Sequence, residues 1–417
     1  MDNHTTPIEC DDELTLTQQQ TVVALSWWLD IVAYIIIGII GLTLNILAVG
    51  ILLTPTMWNN FFNRLIMCLS AYDNLFILCG LLEILRKWQK TSIQQYLFAK
   101  LLYPFRSMAM CCSIYTTMVL TLERYQAITS PIAYRNRNAS LSLGKRLFTY
   151  IVPVMLFSFI YYTPKFFDLY LEEVTECGWK NQSSSPNNNS IMVKENGTEC
   201  LTELRIYPTD LRIHQQYIFW YLNVSNLIVT CLIPIGLLMF LNCRIVSALQ
   251  EYRRRRPIGT MKDNDSSIKN KECTRQNNKD VKQTFILFSI VILFVVCHAL
   301  RIVMNITEIW NLDDMNTQGG SIGCEGMSFW QHVSIPFSEI LLLFNSSANF
   351  FVFMFFDKAF QLVLKETFSS FKQCFTTSNT PQRETIPLNP KPQRTQEMNE
   401  NDEVNEVKVK EVKRGKN

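Results

Sequence analysis

Seven stretches of this chain are long, apolar and almost free of charge, and no other feature constrains its fold as tightly. They run Ile31–Leu53, Leu65–Leu82, Ser107–Leu122, Leu147–Pro164, Tyr217–Cys243, Thr284–Leu300 and Val333–Phe356, and the charges inside them are Asp73 and Glu339. A hydrocarbon layer about 30 Å thick is crossed by about 20 apolar residues in a helix. Backbone N–H and C=O groups cannot stay unpaired in lipid, so such runs must be helical. Strict apolar/polar alternation, the mark of a membrane β-barrel strand, is absent. The expectation is an all-α membrane protein built as a seven-transmembrane helix bundle.

Composition agrees with this reading. A chain of 417 residues could otherwise form two or three soluble domains. Here 48% of residues are apolar and 18% charged, against about 25% in globular proteins, and the charge is crowded between the seven runs. Net charge is +3, from 39 basic and 36 acidic residues, so nothing marks the chain as a nucleic-acid binder. No repeat of solenoid length is visible.

Four regions follow: an N-terminal tail over 1–27, the bundle over 28–356, an amphipathic helix over 357–375 and a tail over 376–417. The N-terminal tail is acidic and lacks a basic segment before an apolar core, which argues against a cleaved signal peptide. Lys and Arg mark the cytosolic loops. Arg64, the set Arg124, Arg135, Arg137, Lys145 and Arg146, and the run Arg253–Arg256 fall on one side, while the segment up to Ser26 carries no basic residue. The loop Arg86–Lys100, with four basic residues, runs against the trend. Sequons at Asn3, Asn181, Asn188 and Asn196 share the side of the N-terminus, where N-linked glycans sit. The expected topology places the N-terminus outside and the C-terminus in the cytosol, at the plasma membrane.

Phe360, Val363, Leu364, Phe368 and Phe371 recur at helical spacing with Lys358, Lys365 and Lys372 between them, as in a short eighth helix on the inner lipid face. Cys374 near its end is a candidate palmitoylation site or an unmodified thiol. The remaining tail is Pro-, Asn-, Glu- and Lys-rich and reads as disordered. Cys10, Cys177, Cys200 and Cys324 lie outside, where disulfides persist; three pairings exist, and Cys177–Cys200 with Cys10–Cys324 is preferred. Seven cysteines lie within the apolar runs as packing residues.

Two polar constellations stand out. Asp73 sits mid-span, and Asn45, Ser113, Asn345 and Asn349 lie at similar depth. Ionisable groups at such depth usually face a polar interior. Asp73, Ser113, Asn345 and Asn349 could hold a sodium ion through oxygen ligands, or form a satisfied structural network. Glu123-Arg124-Tyr125 closes the third run at the cytosolic border. Arg124 keeps its charge at any cellular pH, which suits a switchable pair with Glu123 or with Asp280 at the start of the sixth run; a snorkelling arginine is the plain alternative.

Glu123-Arg124-Tyr125 with Asp73 and Asn45, then Phe294-Val295-Val296-Cys297 and Asn345 to Asn349, resembles the rhodopsin-like G-protein-coupled receptors over residues 28–372. The departures are specific. Cys297-His298-Ala299-Leu300 stands where that family reads Cys-Trp-x-Pro, and Asn349-Phe350-Phe351-Val352-Phe353 where it reads Asn-Pro-x-x-Tyr. Ala99 and Lys100 stand in place of the outer cysteine of the third span, and Asn242 where a tyrosine is common. Tyr162-Thr163-Pro164-Lys165-Phe166-Phe167, Cys297-His298 with Arg301 and Asn305, and Phe344-Asn345-Ser346-Ser347 resemble one subgroup, the invertebrate FMRFamide-type neuropeptide receptors.

The resemblance implies a receptor, not an enzyme, whose partners are an extracellular peptide, a heterotrimeric G protein and, through the tail, arrestin and receptor kinases. The missing outer cysteine favours a Cys177–Cys200 bridge internal to the second outer loop. For the ligand side the candidates are Glu83, Tyr103, Arg106, His298, Arg301 and Glu339, with Phe105, Trp310 and Trp330 nearby. An acidic, aromatic cavity suits a peptide with Arg and Phe near an amidated end. Internal neutralisation, Glu83 with Arg106 and Glu339 with Arg301, is the competing use of the same charges. Among rivals, a retinal protein would need a lysine in Val333–Phe356, and none is there. Matched broken helices of a transporter and a metal or nucleophile set of an enzyme are also missing. An orphan or constitutively active receptor of the same family remains, because several switch motifs are altered.

Overall fold

In the computed structural model the described residues are 15–88, 91–140, 142–177, 191–195, 198–254, 266–318 and 329–378. Seven helices are long and apolar enough to cross a membrane: α1 Leu16–Leu52, α2 Phe61–Arg86, α3 Ser92–Thr129, α4 Leu143–Phe167, α5 Tyr217–Glu251, α6 Thr284–Trp310 and α7 Phe329–Phe356. An eighth helix, α8, covers Lys358–Ser378. The protein is a multi-pass membrane protein of the expected seven-helix architecture.

The helices are apolar on the outside, and within the bundle polar side chains are buried among apolar ones. Ile36, Ile40 and Ile46 of α1, Phe148 and Ile160 of α4, Phe240 of α5 and Val296 of α6 are exposed. Asn45, Ser70, Asp73, Ser113, Thr116, Thr121, Asn242, Ser346 and Asn349 are buried. Such an apolar outer surface is stable only against lipid tails, and Asn45, Asp73, Ser113 and Asn349 bond across helices. Three apolar clusters lock the helices. Leu65, Leu69, Leu120, Ile286, Ile290, Phe350 and Phe353 join α2, α3, α6 and α7, and Phe360 and Val363 of α8 close onto them. Tyr34, Phe76, Ile77, Ile84, Ala109, Leu342 and Leu343 join α1, α2, α3 and α7. Ile114, Met118, Leu238, Val291 and Phe294 join α3, α5 and α6. The seven cysteines of the spans, Cys68, Cys79, Cys111, Cys112, Cys231, Cys243 and Cys297, are free thiols.

Several helix ends differ from the expected ones. α1 starts at Leu16, fifteen residues before the apolar run, because the Thr15 hydroxyl accepts from the Gln18 N–H and the Gln18 side chain returns the bond. The helix carrying α6 runs Ser266–Gln318, 53 residues, absorbing part of the segment expected as a polar loop. The chain divides into two compact units, Met1–Thr367 and Phe368–Asn417, and the described part of the second is the end of α8.

The segment after α4 holds a sheet that no apolar alternation announced. Strands β1 Leu169–Cys177, β2 Ile191–Glu195 and β3 Thr198–Pro208 pair antiparallel in the order β1-β3-β2. Their outer halves are Glu- and Thr-rich, so the period of two is masked. The register sets Tyr170 opposite Tyr207 and Cys177 opposite Cys200. Asn3, Asn181, Asn188, Asn196, Cys10, Cys324 and the chain beyond 378 lie outside the described residues.

Candidate functional site

At the end of the bundle that carries the sheet, one arginine gathers three partners from three other helices. Arg106 of α3 donates from Nη1 to Glu83 Oε2 of α2 at 3.0 Å and from Nη2 to the Tyr34 hydroxyl of α1 at 3.3 Å, and its Nη2 also pairs with Glu339 of α7. Its guanidinium lies 5.2 Å from the Phe76 ring centre. The forked donors of a guanidinium allow this double pairing. The expected pair of Glu339 with Arg301 is therefore corrected: Glu339 goes to Arg106, and Arg301 forms no ion pair with a described residue. Tyr34, which sequence inspection passed over, reaches the cluster because α2 has Gly80 beside it; a Cβ there would collide with the phenol. The three charged side chains keep 21–32% of their surface open, so the cluster is reachable rather than sealed.

A second knot fixes the sheet to the bundle. Asp168, fully buried between α4 and β1, accepts from the Tyr103 hydroxyl of α3 at 3.1 Å and from the Tyr217 hydroxyl of α5 at 2.7 Å. Lys100 of α3 donates to the Leu169 carbonyl at 3.0 Å. The Thr209 N–H donates to the Asp168 carbonyl at 2.9 Å, so both ends of the sheet return to one residue. Lys100 stands where the resembling family has its outer cysteine, and a charge-assisted bond joins the same two elements. A Tyr217→Phe variant loses one bond to a carboxylate, about 1.5–3 kcal/mol. Amide exchange across β1 should then quicken by roughly ten- to a hundredfold with α2 unaffected; unchanged exchange in β1 would mean that the sheet is held elsewhere.

Deeper in the bundle, Asp73 is fully buried and accepts from Ser113 Oγ and from Asn349 Nδ2, each at 2.7 Å. Asn45 Nδ2 donates to the Ser346 carbonyl at 2.9 Å. Above them a cavity of about 10 Å³, room for one water-sized species, is lined by Ser113, Asn345, Ser346, His298, Phe76 and Met110 among others. His298 Nδ1 lies 3.0 Å from the Phe294 carbonyl, so Nδ1 carries the proton and Nε2 is left as a bare acceptor. Oxygen donors of this kind fit a sodium ion; among the described residues no group of three His, Cys, Asp or Glu side chains would hold a transition metal.

At the opposite end, Glu123 is fully buried and pairs with Arg146 of α4. The Arg124 guanidinium lies 3.8 Å over the Phe62 ring of α2, and that of Arg146 lies 4.0 Å over Phe61. Tyr125 is half-buried beside them. Asp280 belongs to the long helix that carries α6, and its side chain lies outside the described residues, as do those of Cys177, Cys200 and Cys374. By its sequence Arg146 belongs with the cytosolic cations, because nothing in its sequence context separates an inward from an outward arginine; the structure buries it against Glu123.

Of the candidate ligand residues the structure thus joins Glu83, Arg106 and Glu339 in one cluster. It sets Tyr103 beside the sheet and buries His298 at the cavity below. Arg301 stands one helical turn above His298 on α6.

Residues 44–353 match the model of the 7 transmembrane receptor (rhodopsin family). The chain is 24% identical over 352 residues to the FMRFamide receptor of Drosophila melanogaster, covering 81% of this chain and 53% of that protein. It is 22% identical over 342 residues to an FMRFamide peptide receptor of Caenorhabditis elegans, covering 80% of this chain and 67% of that protein. The chain thus spans about half the length of its fly relative.

Proposed function

The chain belongs to the rhodopsin family of seven-transmembrane receptors, and on that premise we propose that it binds an extracellular neuropeptide ending in an amidated Arg-Phe and activates a heterotrimeric G protein. The observation that carries this reading is the convergence of Glu83 and Glu339, half-open, on one point at the sheet end, with Tyr34 and Phe76 beside them. A peptide guanidinium would compete with Arg106 for Glu339, while Arg106 keeps Glu83 and Tyr34. The phenylalanine ring would take the aromatic surface, and the amide end, lacking charge, would leave the carboxylates unopposed. Relatives named as FMRFamide receptors support the same ligand class.

The sheet end is the extracellular one in this reading, at the plasma membrane, with the N-terminus outside and the tail in the cytosol. Glycans would sit at Asn3, Asn181, Asn188 and Asn196. A disulfide between Cys177 and Cys200 would close the sheet, whose register sets those residues opposite each other; Cys10 and Cys324 would form the second. Glu123, Arg124, Tyr125 and Asp280 would form the switch at the end that meets the G protein. Ligand binding shifts the population toward an arrangement in which α6 swings out there. Asp73, Ser113, Asn345 and Asn349 would hold a sodium ion that favours the resting arrangement. Arrestin, receptor kinases and lipid through Cys374 and α8 complete the set of partners.

The test is a panel of amidated Arg-Phe peptides on cells expressing the full chain, read by calcium and cyclic-nucleotide reporters. Amidated peptides should signal at nanomolar to micromolar concentration, and their free-acid forms should be weaker. Silence across the panel, with the protein at the surface, would overturn the ligand assignment. Leu300 and Phe353 replace a helix-bending proline and a tyrosine hydroxyl of the family's switch, and Phe353 instead packs on Phe360. The two replacements support the second reading, an orphan or constitutively active receptor for another peptide or small ligand; constitutive activity would appear in the same assay as signalling before any peptide is added.

A further inference from the structure

We propose that His298 reads the amidated end of the ligand, in the cavity one helical turn beneath the Arg106–Glu339 pair. The position follows from the walls. Met110 stands one turn below Arg106 on α3 and Leu342 one turn below Glu339 on α7. Phe76 lines the same cavity, and its ring centre lies 5.2 Å from the Arg106 guanidinium. His298 of α6 completes the lining. Two contacts with Phe294 fix its ring: Nδ1 donates to the Phe294 carbonyl at 3.0 Å, and the ring centres are 4.0 Å apart. His298 is 1% exposed, and Nε2 has no hydrogen-bond partner among the described residues. With its one proton on Nδ1, a neutral imidazole offers Nε2 as an acceptor only. Asn345 on the same wall also forms no side-chain hydrogen bond with a described residue.

A primary amide is the group that fits this acceptor. Its NH2 donates to Nε2, its carbonyl can accept from Asn345 Nδ2, and it brings no charge into the buried site. A carboxylate has no proton to give, so lone pair would meet lone pair and a charge would be buried. A methyl ester is neutral but equally lacks the donor. Size agrees with this assignment. The cavity of about 10 Å³ admits one water-sized group, hence the amide nitrogen rather than the phenyl ring, which would stay above it against Phe76. Spacing agrees as well. A helical turn rises about 5.4 Å, and one extended peptide residue spans about 3.5 Å. A guanidinium held at Glu339 therefore leaves the end of the next residue within reach of His298. A buried acceptor without a partner is costly, so a donor on the ligand gains more here than in an ordinary surface bond.

This inference deepens the peptide-receptor reading and rests on it, so the experiment separates the two. The full chain in cells is challenged with Phe-Met-Arg-Phe-amide, its methyl ester and its free acid. Wild type, His298→Phe and His298→Gln are compared at matched surface level. The ester is the informative probe, because it shares the neutrality of the amide and lacks the donor. In the wild type the amide should outperform the ester roughly tenfold to a hundredfold. His298→Phe keeps a ring against Phe294 but removes the acceptor, and should bring the amide down to the level of the ester. His298→Gln restores an acceptor oxygen and should recover most of the preference. The ratio of the two peptides within one variant cancels any general change in signalling. No preference for amide over ester in the wild type, or an equal loss of both in His298→Phe, overturns the assignment. Should His298→Phe fail to reach the surface, Met110→Phe decides, because it fills the cavity from α3: a lost preference upholds the site and an intact one removes it. If no peptide signals, the receptor reading fails by itself. The site is then decided by thermal unfolding of the purified chain with millimolar N-acetylphenylalanine amide or the corresponding methyl ester. Stabilisation of the wild type by the amide alone, absent in His298→Phe or Met110→Phe, upholds it; equal effects of amide and ester, or none, remove it.

Discussion

An Arg146→Met variant should destabilise the folded protein by about 3–5 kcal/mol, the loss that follows when one member of a buried ion pair is removed. Arg146 is 2% exposed and its partner Glu123 is 0% exposed, so water reaches neither. The methylene stem of methionine preserves the packing against Phe61, which the Arg146 guanidinium faces at 4.0 Å. What disappears is a charge paired with the Glu123 carboxylate. The protein should reach the cell surface poorly and unfold at lower temperature in detergent. Adding Glu123→Gln should recover most of the loss, because a neutral amide needs no counter-charge. The double-mutant cycle therefore isolates the pair from any packing change. A single variant as stable as the wild type, or a double variant no better than the single, would show that Glu123 draws its compensation from another group.

The same residue shows where sequence inspection stops. Depth in the membrane is written in hydropathy, because each residue carries its own transfer energy; hence the seven spans, Asp73 in mid-helix and the border position of Glu123 were all legible. Direction around the helix axis and reach across the bundle depend on how helices pack, and the apolar stripes here are too broad to fix either. Arg146 reads like Lys145 beside it, yet Arg146 is buried and Lys145 exposed. Glu339 and Arg301 are opposite charges of similar depth, but the guanidinium of Arg106 takes both glutamates. The Asp168 anchor was hidden for a different reason: it lies at a junction of helix and strand, in a segment whose strands alternate too weakly to announce a sheet. The N-terminal extension of α1 hung on the single capping pair of Thr15 and Gln18.

Glu339→Gln should weaken an Arg-containing amidated peptide by about 2–5 kcal/mol, a shift in its dose–response of roughly thirtyfold to several thousandfold. The carboxylate of Glu339 is the more open of the two at the cluster, 32% exposed against 22% for Glu83, so it is the one an incoming guanidinium meets first. Glutamine keeps the volume and one acceptor oxygen but removes the charge. Arg106 retains Glu83 at 3.0 Å and the Tyr34 hydroxyl, so the bundle itself should stay folded and reach the surface. Phe-Met-Arg-Phe-amide and its citrulline analogue, which is neutral at the guanidinium, form the decisive pair. On the wild type the citrulline peptide should already be weak. On Glu339→Gln the two peptides should be nearly equal, because the charge that told them apart is gone. An unchanged response to the arginine peptide at normal surface level would remove Glu339 from the ligand site. Equal losses for both peptides would instead make Glu339 a support for Arg106, with the cluster holding α2, α3 and α7 together and the ligand bound elsewhere at the sheet end.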